Sequence, residues 1–163
     1  MRLRHLVALI VVIAALVPAA SFAGTGFSAV LNAAQEVPTN ASTATGVGTC
    51  VLNDAQTQLT YTVMYTGLVA NRTASHFHGP ALAGVNAPVV FGIAAAGSPS
   101  GTISGVWNLT PTDVANLFAG KFYFNVHSQT YPGGEIRGQI SMDVTPTRNT
   151  SWGRIKRLFS DSK

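Results

Sequence analysis

The sequence predicts an all-β domain, a Greek-key sandwich or barrel with one short connecting helix, and two observations carry that prediction. Apolar and polar residues alternate one by one along short segments, most cleanly in Gln58–Thr66, where Leu59, Tyr61, Val63 and Tyr65 share one face. Gly, Pro, Asn and Ser clusters separate these segments at short intervals, the rhythm of antiparallel strands joined by turns.

In chain order, Arg2 and Arg4 precede an apolar run over residues 6–17, Pro18 breaks it, and Ser21-Phe22-Ala23 places small residues where a signal peptidase reads. The run fits the apolar region of a signal peptide and is short for a bilayer span. Residues 1–23 are therefore expected to be a signal peptide, 24–145 the domain and 146–163 a basic tail. Strands are expected at 27–31, 46–53, 58–66, 75–78, 88–93, 102–107, 122–127 and 135–143. Between the sixth and seventh, Thr110 can cap a helix, Pro111 suits its first position and Asp113 its first turn. Val114, Leu117 and Phe118 would form its apolar side, and Gly120 would end it.

Charge narrows the function classes. The net charge of +4 comes from the two ends. Residues 24–145 hold three basic side chains (Arg72, Lys121, Arg137) against five acidic ones (Glu36, Asp54, Asp113, Glu135, Asp143), which argues against a nucleic-acid surface on the domain. Cys50 is the only cysteine, so no intramolecular disulfide forms, and its place in an alternating strand makes it a packed thiol. No GxSxG elbow or nucleotide-binding Gly-rich fingerprint is present. Asn40, Asn71, Asn108 and Asn149 head glycosylation tripeptides, which matter only in a host that modifies them. In the tail, Trp152, Ile155, Leu158 and Phe159 recur at helical spacing among Arg154, Lys156, Arg157 and Lys163. That pattern suits an anionic membrane surface; the alternative is a tail that packs on the domain or stays disordered.

The residues able to carry chemistry lie on three strands. In His76-Phe77-His78, the period of a strand sends both imidazoles to one side and Phe77 to the other. In the seventh strand Phe122, Phe124 and Val126 form the apolar face, leaving Tyr123, Asn125 and His127 opposite. In the last, Glu135, Arg137 and Gln139 alternate with Ile136, Gly138 and Ile140. If the apolar sets share one core, every histidine of the domain lies outside it. Two imidazoles at i and i+2 and a third from a nearby strand suit copper or zinc. The other reading is that the histidines hydrogen-bond loops and one another without an ion. Glu135 and Arg137 share a face and could pair with each other or across strands, forming with Asn125 a structural polar lattice rather than a catalytic centre.

Taken together, Phe27-Ser-Ala-Val-Leu, Gln35-Glu36-Val37-Pro38, Gly46-x-Gly48, Leu59-Thr-Tyr61, Gly67-Leu68, His76-x-His78-Gly79-Pro80, Tyr123-x-Asn125-Val126-His127 and Pro132-Gly-Gly134-Glu135-Ile136-Arg137-Gly138-Gln139 resemble the CHRD (chordin-type) domain over about residues 25–144. The last three motifs, in that order, are the specific ones. Ser128 and Phe77 stand where family members often have Thr and Ile. The resemblance implies an immunoglobulin-like β-sandwich. The family is named for repeats in chordin, an extracellular binder of growth factors, and also occurs as single domains in secreted bacterial proteins. More weakly, the strand-borne His-x-His resembles the copper-binding strand of copper-zinc superoxide dismutases, which need more histidines than the three here.

The expectation is a secreted or periplasmic binding module holding a metal, copper ahead of zinc, through His76, His78 and His127, with a protein ligand as a further partner. The alternative is a metal-free adhesion or ligand-binding domain, and a third reading is a copper-dependent redox enzyme.

Overall fold

The computed structural model describes residues 24–143. The expected signal peptide and basic tail lie outside the described residues. The chain forms β1 (Thr25–Asn32), a 3-10 turn (Ala33–Gln35), β2 (Thr45–Leu52), β3 (Gln58–Thr66), β4 (Arg72–His78), β5 (Val89–Ala94), β6 (Gly101–Asn108), α1 (Pro111–Phe118), β7 (Tyr123–Ser128), β8 (Ile136–Gln139) and β9 (Ser141–Met142). The expected last strand is divided. Residues 136–139 pair with β7, and Ser141 and Met142 pair with Ser28 and Phe27 of β1 in the register that also sets Arg137 opposite Asn32, with Ile140 between the two segments.

All the strand pairs are antiparallel and run in the order β5-β4-β7-β8-β1-β2-β3-β6. The β8–β1 link rests on Asn32 opposite Arg137. It joins the two halves into one continuous sheet that curls into a nearly closed barrel, where a sandwich would divide it into two separately bonded sheets. At the seam the edge strands β5 and β6 meet through side chains: Phe91 stacks on Trp107 with ring centroids 5.2 Å apart and planes 13° apart. The β3–β4 and β5–β6 connections both pass between the two ends of the strand order.

The apolar sets do share one core. Phe27, Leu31, Leu59, Val63, Phe77, Phe122, Phe124, Val126, Ile136 and Ile140 are fully enclosed. Phe77 lies at its centre, 4.5 Å from Phe124, 5.1 Å from Trp107 and 5.2 Å from Tyr61 between ring centroids. Gly48 leaves the space that Phe124 fills, since a Cβ there would sit 2.4 Å from its ring. Cys50 is packed in this core, and burial pushes its thiol up to about 12, so it stays protonated.

The helix forms as its residues dictate. Thr110 caps it, and Thr110 and Asp113 complete a reciprocal capping box. Val114 and Leu117 are buried, whereas Phe118 sits at the boundary, edge-on to Phe27 at 5.5 Å. Gly120, at φ +64, takes the left-handed conformation that stops the helix.

Candidate metal centre

The strand parity expected for the histidines holds. Phe77 enters the core, while His76 and His78 leave on the opposite side of β4. On β7, which pairs with β4 through His76–Asn125 and His78–Tyr123, the residues Tyr123, Asn125 and His127 face that same way. That face, expected to be the outer surface, is nonetheless closed to water along β7, where every residue is buried, while His76 and His78 on β4 are half-buried. Loops roof it and form a second, polar layer.

Specific hydrogen bonds pin the roof. His78 Nδ1 lies 2.9 Å from the Ala87 carbonyl, and the Ala87 N–H donates to the Tyr123 hydroxyl at 3.0 Å. Arg137 donates to the Val85 carbonyl (2.8 Å) and Asn86 Oδ1 (3.3 Å). The Gln139 amide donates to the carbonyls of Ala81 and Gly120. Four strand side chains thus hold the irregular stretch after the His pair. A second loop is held by His127, whose Nδ1 is 2.9 Å from the Pro132 carbonyl.

These carbonyl contacts set the tautomers. A carbonyl only accepts, so Nδ1 of His78 and of His127 carries the proton and each Nε2 presents a lone pair. His127 Nε2 then accepts from His76 Nδ1 at 3.1 Å. His78 Nε2 is buried and has no hydrogen-bond partner. One ring nitrogen of each imidazole lies within 4.8 Å of the others. Burial holds all three below the usual imidazole range; for His78 and His127 the backbone bonds pull back and neighbouring charge adds to the depression. All three are therefore neutral at pH 7, the form that binds a metal. For His78 and His127, an Nδ1–H held by a backbone carbonyl that leaves Nε2 for an ion is the way metal-binding histidines are oriented.

The expected lattice of Asn125, Glu135 and Arg137 needs correction in its partners. Glu135 and Arg137 do not pair with each other. Gly134, at φ +131, turns the chain just before β8, and Glu135 Oε1 accepts from the Ser42 hydroxyl (2.6 Å) and the Val69 N–H (2.8 Å). Arg137 lies over the Tyr123 ring, 3.4 Å from its centroid, and Glu36 is the carboxylate that feels its charge. Asn125 donates to Glu36 Oε2 at 3.4 Å. Burial raises Glu36 to about 7, against the opposing pull of Arg137 and the Asn125 hydrogen bond.

Glu36 is the functional-layer residue that strand reasoning missed. It lies in a loop without periodicity, and its one signal is its place in the Gln35-Glu36-Val37-Pro38 motif. Among the tripeptide asparagines, Asn40 is engaged by the carbonyls of Gly134 and Glu135.

Fold and site together define a nearly closed β-domain with one apolar interior and one roofed polar face, built to hold loops and present imidazoles. The CHRD-domain sequence pattern matches residues 27–140, and the chain belongs to that family. Neither the curated proteins nor the solved structures hold a match to the chain.

Proposed function

We propose that the protein is a secreted or periplasmic binding module whose polar face holds a copper ion through His76, His78 and His127. The observation that carries this reading is the buried lone pair of His78 Nε2, left without a partner beside two other neutral imidazoles. A buried acceptor with no partner costs roughly 1–3 kcal/mol, and an ion bound there removes that cost. Imidazoles suit copper and zinc, and copper binds such donors more tightly. The His76 Nδ1–His127 Nε2 contact of 3.1 Å is near the ~3.3 Å separating two nitrogens bound at ~2.05 Å to one tetrahedral ion, and an ion seated there takes the place of the shared proton, with His76 protonated on Nε2 instead. CHRD membership supports the extracellular setting and a binding role.

The metal-free reading keeps one observation of its own: the same histidines fasten the loops at Ala87 and Pro132. Protein purified without a His-tag decides between them. One copper per chain is expected, and His78→Ala should abolish it while leaving the β-sheet circular dichroism unchanged. No stoichiometric metal in the parent protein, together with loss of fold in His78→Ala, would establish the structural reading instead.

A further inference from the structure

Resting on that three-histidine reading, we propose that the site selects monovalent copper over divalent copper, because its ligands carry no negative charge and a buried guanidinium stands behind them.

The clustered ligands are three imidazoles and include no carboxylate or thiolate. They neutralise none of the ion's charge. Behind His78 the next two layers of the polar face are Tyr123 and Arg137. The His78 and Tyr123 rings stack, with centroids 5.0 Å apart and planes 8° apart. Arg137 covers Tyr123 at 3.4 Å. Because β7 lies between β4 and β8, His78 and Arg137 approach Tyr123 from opposite sides. Arg137 is 1% exposed, so water does little to screen it, and His78 feels its positive charge. The second positive charge of a cupric ion is repelled by this guanidinium, whereas a cuprous ion meets half the repulsion.

Coordination number points the same way. Divalent copper favours tetragonal sites of nitrogen and oxygen ligands, which ask for at least a fourth donor. Three imidazoles suffice for a monovalent ion, and His78 Nε2 is closed to solvent. The nearby carboxylate, Glu36, lies toward Arg137, and burial holds it to about 7, so near neutrality it offsets that charge only in part.

The test is a pair of chelator-competition titrations on the tag-free protein, one with cuprous ion under anaerobic conditions and one with cupric ion. The cuprous affinity should exceed the cupric by at least tenfold. Arg137→Gln should lower that ratio about tenfold, equivalent to ~59 mV for one electron, and Arg137→Lys should preserve it. At about pH 8, Glu36→Gln should raise the ratio, since it removes the anion that offsets Arg137; this variant decides the matter if Arg137→Gln does not fold. A cupric affinity equal to or above the cuprous one, or a ratio indifferent to both charge changes, overturns the selectivity and leaves the copper site standing. If neither ion binds, the three-histidine reading itself is lost.

Discussion

The barrel wall differs between its two halves. Along β2, Thr45, Val47, Thr49 and Val51 lie open to water while Gly46, Gly48, Cys50 and Leu52 are buried, a strict alternation that β3 repeats across the pair. Along β7 the same inward parity is kept by Phe124 and Val126, but Tyr123, Asn125 and His127 on the outward side are buried as well. One wall separates core from solvent; the other separates an apolar core from a polar layer roofed by loops. The difference shows where this fold can place chemistry. A face left in water asks little of its residues, whereas a polar face out of water requires a partner for each group.

The largest expected effect breaks what the two halves share. Phe124→Ala empties the space between Phe77 and Gly48 and should cost about 3–5 kcal/mol in urea unfolding. Next comes the roof. Glu135→Ala leaves the Ser42 hydroxyl and the Val69 N–H without their acceptor and should cost about 2–3 kcal/mol by the same measurement. At the other end, Thr49→Val on the open wall should change stability by no more than about 0.5 kcal/mol. If Thr49→Val proved as costly as Glu135→Ala, the contrast between the walls would fail.

Acidity probes the roofed half specifically, and its two kinds of group act in opposite directions. The imidazoles are depressed in the folded state from 6.5, so below about pH 6.5 the unfolded chain takes up protons that the fold refuses, and stability falls with falling pH. Glu36 is raised from 4.5 to about 7, so its contribution is fully present below 4.5 and is lost as pH rises through about 7. Compared with Glu36→Gln, the metal-free protein should therefore lose urea resistance as pH rises from about 4.5 to about 7, with little further difference developing above that. An unchanged slope in Glu36→Gln would show that Glu36 is not held in the raised state. His78→Ala should blunt the loss on the acid side.

Much of this was legible in the residues because it depends on local geometry. The bounds of β3, the helix from its Thr110 cap to Gly120 and the opposed facing of Phe77 and its flanking histidines follow from a period of two or 3.6 residues and from capping chemistry, which near neighbours enforce. The same parity placed all three imidazoles outside the core. The partners were not legible. Glu135 meets Ser42 across 93 positions, and Asn125 meets Glu36 across 89, in loops that have no period to read. Nor could alternation show that β7 is covered on both sides, since a polar residue facing water and one facing a roof look alike in the chain. By itself the sequence determined which way each strand side chain points. Only the tertiary structure decided what it meets there: which carbonyls set the histidine tautomers, that Arg137 rests on Tyr123 rather than on Glu135, and that the sheet nearly closes at Phe91 and Trp107. Facing is a property of one strand's backbone, while burial and partnership depend on where distant loops come to rest.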